Sequence, residues 1–170
     1  MLQPMIRPAI PDDLDAVATI FGHYVRTSVV TFEEIPPGVA HWHRLYADLT
    51  ARGLPFAVCA DDAGVAGYAY ATPWRAKPAY RHTVEDTVYL APGRTGRGLG
   101  RRLLQAVVAG CEAAGIEQII AVIADSGDPA SIALHHACGF VDAGRLRQVG
   151  YKHGRQIDTL LLQRDLTCGR

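Results

Sequence analysis

Residues 83–104, TVEDTVYLAPGRTGRGLGRRLL, carry the pattern around which the rest of the chain is arranged. Thr87, Val88, Tyr89 and Leu90 are the β-branched, aromatic and apolar residues that a strand prefers. Ala91-Pro92-Gly93 ends the strand, because proline donates nothing to a ladder and glycine takes turn geometry freely. Leu99, Leu103, Val107 and Cys111 recur at every fourth position, one face of a helix. The stretch reads as strand, glycine-rich turn, helix.

Such a junction suits an anion. Glycine lets the backbone come close to a ligand, and the first amides of a helix lack internal partners. With the helix dipole they favour a phosphate. Arg94, Arg97, Arg101 and Arg102 add positive charge at the same end. A P-loop would need Gly-Lys-Ser/Thr, which is absent. A dinucleotide turn would need G-x-G-x-x-G, whereas Gly96, Gly98 and Gly100 give G-x-G-x-G with no acidic residue placed for a ribose. From the glycines alone, a turn without a ligand stays open.

Outward from this stretch, Met5 to Pro8 reads as a strand, and Pro11-Asp12-Asp13 as a helix start with Leu14, Val17, Ala18 and Phe21 on the apolar face. Ser28 to Phe32 has β character and is expected either to be a strand or to close over a substrate. Pro36-Pro37 restarts a helix to about Arg52, with Trp42, Leu45, Tyr46 and Leu49 on one side. Phe56 to Ala60 and Val65 to Thr72 form a hairpin. The run QIIAVIA, Gln118 to Ala124, predicts a strand buried on both faces. Pro129 opens a helix to about Ala137, and Gly139-Phe140 begins a strand. Gly150 to Arg155 reads as a turn before a last strand, Gln156 to Arg164. Hairpins mixed with strand–helix–strand units predict one α/β domain over 1–170, its folded core about 5–166.

Composition narrows the function. Seventeen basic and seventeen acidic residues cancel, which disfavours a nucleic-acid or membrane surface. No apolar run approaches the roughly 20 residues of a membrane span, and Met1 to Pro11 lacks the apolar segment of a signal peptide. Cys59, Cys111, Cys138 and Cys168 are far apart without a C-x-x-C, as expected of reduced thiols in the cytoplasm rather than a disulfide or zinc framework. His41 and His43 flank Trp42 at a spacing poor for a shared metal, so no metal is expected.

Thr95-Gly96-Arg97-Gly98-Leu99-Gly100 resembles the coenzyme A loop of the GNAT acetyltransferases, Q/R-x-x-G-x-G/A, at five of six positions, with Thr95 the departure. Trp74-Arg75, Thr83-Val84-Glu85, Val88-Tyr89, Ala130 to His135, Gly139-Phe140 and Gly150 to Gly154 are similar to the phosphinothricin and methionine sulfoximine N-acetyltransferase branch. The likeness spans nearly the whole chain. It implies a mixed, mostly antiparallel sheet flanked by helices, acetyl-CoA as co-substrate, a small-molecule amine as acceptor, and a homodimer.

The resemblance also assigns residues. Val88, Tyr89 and Leu90 would hold the pantetheine arm through backbone pairing, and amides of Gly96, Arg97, Gly98, Leu99, Gly100 and Arg101 the pyrophosphate. Asp128 stands where the family has an asparagine; it either contacts the coenzyme or only caps the helix after it. Glu85 would take a proton from the attacking amine, unless it merely pairs with a nearby cation. His135 would protonate the departing sulfur, unless it is structural. Arg75, Lys77 and Arg81 would read an acceptor carboxylate, unless they are solvated loop charges. Acetyl transfer to another amine (a polyamine, an aminoglycoside, a protein N-terminus) and a non-catalytic coenzyme A-binding module are the alternatives.

Overall fold

The computed structural model describes residues 4–168. Within them the strands are β1 (Met5–Pro8), β2 (Phe56–Asp61), β3 (Gly64–Pro73), β4 (Thr83–Leu90), β5 (Gln118–Ala124), β6 (Val141–Lys152) and β7 (Arg155–Asp165). The helices are α1 (Leu14–Thr27), α2 (Val39–Ala51), α3 (Leu99–Ala113) and α4 (Ala130–Ala137). The strands form one sheet in the order β1-β2-β3-β4-β5-β7-β6. Every neighbouring pair is antiparallel except β4 and β5.

Strand alternation sends the two sides of β4 to different cores. Val84, Val88 and Leu90 pack with Leu99, Leu103, Leu104 and Val107 of α3. Tyr89 joins Phe21 and Val25 of α1 and Trp42 of α2, in a cluster where aromatic rings meet edge to face at 5.3–5.7 Å. Leu14, Val17 and Phe21 of α1, and Trp42 and Leu49 of α2, are buried on the faces their spacing predicts.

Two expectations need correction, and one open alternative is decided. Of the two readings of Ser28 to Phe32, the segment takes the loop: it forms no strand, and Val30, Thr31 and Phe32 line a cavity. β5 is not buried on both faces. Ile119, Ala121 and Ile123 face α3, but α1 and α2 cover only β2 to β4, so Val122 is left 40% exposed. The turn expected over Gly150 to Arg155 is only His153-Gly154, with φ of +51° and +75°. Positive φ at both central residues is what a tight primed hairpin requires, so β6 and β7 run on to meet it.

Candidate active site

β4 and β5 are paired only at Thr83, Val84 and Glu85, opposite Gln118, Ile119 and Ile120. β4 remains paired to β3 as far as Leu90, and β5 to β7 as far as Ala124. The two strands therefore diverge after Glu85 into a fork. Trp74 N–H donates to the Thr83 carbonyl and Ala91 N–H to the Ala66 carbonyl, so odd-numbered β4 residues turn their backbone groups to β3. Those of Asp86, Val88 and Leu90 face the fork. Tyr24 Oη donates to the Leu90 carbonyl at 2.7 Å, leaving that residue's N–H. Tyr89 was expected to offer its backbone; that backbone is turned to β3, and Tyr89 lines the cavity with its side chain.

The fork opens into a cavity of about 660 Å³, an ordinary size for a small-molecule site. The glycine turn closes one end. Gly96 and Gly98 hold φ of +75° and +73°, and a Cβ on either would meet nothing within 4 Å. Among the described residues no side chain caps α3, so its first amides stay free for an anion. Arg97 and Arg101 are exposed there. Arg94 is not available: its guanidinium grips both carboxylate oxygens of Asp61 at 2.7 and 3.2 Å, tying the turn to the β2–β3 hairpin. Asp128 Oδ1 accepts from Ala130 N–H at 2.9 Å, capping α4 while lining the cavity.

Glu85 sits at the apex of the fork, on the α1–α2 side. Burial raises its carboxyl pKa, the neighbouring Asp86 raises it further, and Arg75 draws it back. His135 lies on the opposite wall, almost fully buried. Its Nδ1 is 2.7 Å from the Ser131 carbonyl and its Nε2 2.8 Å from Asp86 Oδ2, so both ring nitrogens are engaged.

The three basic residues expected around an acceptor are not brought into this cavity. Arg75, Lys77 and Arg81 line a separate groove of about 940 Å³ at the other end of β4, with Arg52 and His82. Arg75 lies over the Trp74 ring at 4.3 Å, and it alone of the three acts on Glu85.

A family model described as "Acetyltransferase (GNAT) family" matches residues 18–140. The chain belongs to the GNAT acetyltransferases. It is 48% identical over 164 residues to a phosphinothricin N-acetyltransferase of Alcaligenes faecalis, covering 96% of this chain and 83% of that one. It is 36% identical over 162 residues to an L-methionine sulfoximine/L-methionine sulfone acetyltransferase of Pseudomonas aeruginosa, covering 95% and 94%. Its fold superposes on a GNAT phosphinothricin acetyltransferase of Sinorhizobium meliloti, solved in complex with acetyl-CoA, with a TM-score of 0.91, 42% identity and coverage of 97% and 89%.

A GNAT coenzyme fits what these residues offer. The uncapped amides of α3 suit a pyrophosphate, and the unpaired edge of β4 suits an amide-bearing arm. Two features of this GNAT site escape a reading of the sequence. Asp86 looks like an ordinary polar strand residue, but α4 buries it. Gly150 and Lys152 brace the wall from behind: a Cβ on Gly150 would stand 2.3 Å from the Phe32 ring, and Lys152 is bonded to Thr31. Thr31 and Phe32 line the cavity.

Proposed function

We propose that this chain transfers the acetyl group of acetyl-CoA to the primary amine of a small amino-acid analogue of the phosphinothricin or methionine sulfoximine kind. The observation that carries the reading is the β4–β5 fork with Glu85 at its apex. A carboxylate of raised pKa there is a better base for the proton that an ammonium must lose before it can attack. The coenzyme supplies the activated acetyl group.

In this reading the backbone of Val88 and the N–H of Leu90 align the pantetheine arm. Amides from Gly96 to Arg101 hold the pyrophosphate, with Asp128 beside them. Glu85 accepts the amine proton. His135 faces the departing sulfur from the opposite wall; its two ring hydrogens are held by the Ser131 carbonyl and Asp86, so in this reading it acts through charge rather than by giving up a proton. Arg75, whose charge acts on Glu85 although its side chain lines the neighbouring groove, reaches for the acceptor's carboxylate; Lys77 and Arg81 stay in that groove and take no part. Acceptor and coenzyme meet directly, so no covalent enzyme intermediate is required. The neighbouring thiols suit bystanders: Cys111 is fully buried, and burial pushes its pKa up to about 12.

The protein in this proposal is cytoplasmic and homodimeric. Four free cysteines support a reducing compartment. The dimer is supported by β6, an edge strand whose Val141, Leu146, Val149 and Tyr151 are all exposed. Register shifts at 142–144 and 146–150 make that edge a poor template for continuous strand addition, so side-chain packing is the expected mode.

The test is release of free thiol from acetyl-CoA with a panel of amines: phosphinothricin, methionine sulfoximine, common amino acids, spermidine and an aminoglycoside. Fastest release with an amino-acid analogue is expected. Preference for spermidine or the aminoglycoside would move the assignment to another amine. Coenzyme binding without release for any amine would make this a binding module.

A further inference from the structure

Asp86 is a buried ionisable group that the acetyl-transfer reading leaves unused. It follows Glu85 on β4, and alternation sends its side chain to the opposite face, toward α3 and α4. That side chain is 1% exposed, and the His135 side chain 3%. Asp86 Oδ2 lies 2.8 Å from His135 Nε2, whereas Asp86 Oδ1 is buried with no hydrogen-bond partner among the described residues.

The two bonds of the ring fix where its hydrogens are. A carbonyl oxygen only accepts, so Nδ1, 2.7 Å from the Ser131 carbonyl, carries a hydrogen. Nε2 then faces a carboxyl oxygen. A neutral ring against an ionised carboxylate would set two lone pairs against each other. One proton must therefore lie between them, as an imidazolium–carboxylate or an imidazole–carboxylic acid pair.

Fold stability is a weak reason for such a pair. Taking two ionised groups out of water can cost more than their attraction returns, and apolar replacements often serve as well. Its location is more informative: both residues line the cavity, across β4 from Glu85. The Phe140 ring packs perpendicular to the imidazole, with centroids 4.9 Å apart, and limits rotation of its plane.

We propose that Asp86 is a positioning residue for acetyl transfer: it holds the His135 ring against the wall of the fork and keeps the Nε2 hydrogen on it, so that a positive group faces the departing sulfur. The effect on rate rests on the N-acetyltransferase reading; the shared proton does not. Without Asp86, burial would favour the neutral ring. With it, burial pulls the His135 pKa down while the Asp86 bond and charge and the Ser131 bond pull it up, and the net direction is up. The other titratable groups that feel Asp86 are Glu85 on β4, Cys111 on α3 and Cys138 at the end of α4, all of raised pKa. Neither thiol loses its proton near neutral pH.

The experiment reads the ring nitrogens of His135 by ¹H–¹⁵N NMR in the coenzyme-free protein, across about pH 5 to 9, which extends past the roughly pH 5 to 8 in which an ordinary histidine titrates. In the parent, His135 should keep both hydrogens above the pH at which the other histidines lose theirs. In Asp86→Asn its titration should fall by about one pH unit or more, a tenfold loss of proton affinity. The same variant should lose about 10- to 100-fold in kcat, at or below the lower end of a direct general acid–base contribution, as suits a positioning residue. Its Kd for acetyl-CoA should not change, since Asp86 is placed on no coenzyme anion. Asp86→Ser serves where Asp86→Asn fails to fold. A parent His135 that titrates with the other histidines overturns the proposal without any variant. So does a variant whose His135 has become neutral while kcat and its pH profile stay those of the parent. Absence of turnover in the parent would sink the enzymatic reading instead and leave the NMR result standing.

Discussion

The Lys152 ammonium donates to the Thr31 carbonyl at 2.9 Å, across 121 residues of chain. The residue is almost fully buried. Burial lowers the Lys152 pKa, while Glu34 and Glu33 oppose that shift. The end of β6 is thereby fastened to the loop from Val30 to Glu33, which forms one wall of the cavity. Gly150, against which Phe32 lies, adds a steric seat to the bond.

Lys152→Met keeps the stem and removes the donor. A charge-assisted hydrogen bond contributes about 1.5–3 kcal/mol, or roughly 10- to 100-fold, and the tethered loop should show the lower end. Steady-state kinetics should give an acceptor KM about 10-fold higher, with the Kd for acetyl-CoA unchanged. An unaltered acceptor KM in the folded variant would mean that this loop does not shape the acceptor site.

Gly98 precedes α3 with φ of +73°, and Gly115 follows the same helix with φ of +76°. An alanine at either position carries a similar left-handed strain, of roughly 1–2 kcal/mol. Only Gly98 adjoins the free amides. Calorimetry should therefore show acetyl-CoA binding weakened by Gly98→Ala and more by Gly98→Val, but not by Gly115→Ala. Equal affinity in a folded Gly98→Val would remove the pyrophosphate from this turn.

Arg75 stabilises the ionised form of Glu85, so its loss should act twice. Arg75→Ala should raise the acceptor KM about 10- to 100-fold by removing a charge-assisted bond. It should also raise the Glu85 pKa further, moving the acidic limb of kcat/KM to higher pH. Methyl esters of the acceptor should be poor substrates of the parent. Esters that react as well as free acids would show that no carboxylate is read.

The local parts of this protein were legible in its sequence because strand alternation and helical period are local. Leu99, Leu103, Val107 and Cys111 announce one face of α3, and the glycine turn before them announces its open amides. What was hidden depends on long-range placement. Nothing near Asp86 says that His135, 49 residues later, will bury it. QIIAVIA does not reveal that helices cover only one of its faces. The cations of the Trp74 to Arg81 loop look like one site with Glu85, yet the bend after β3 carries all three to another groove. Arg94 reads as phosphate-binding until the hairpin brings Asp61 to it.

The central claim is that acetyl transfer takes place at the fork with Glu85 as the base. The measurement closest to it is kcat against pH for Glu85→Gln and the parent, with acetyl-CoA saturating. In the parent, activity should rise as pH passes the raised Glu85 pKa, because the carboxylate accepts a proton only once ionised. In the variant, the loss should be greatest near neutral pH, about 10²–10⁴-fold. It should narrow as pH rises and more of the amine is already neutral. A loss that stays constant with pH, or no loss at all, would contradict the account and leave Glu85 as a structural carboxylate.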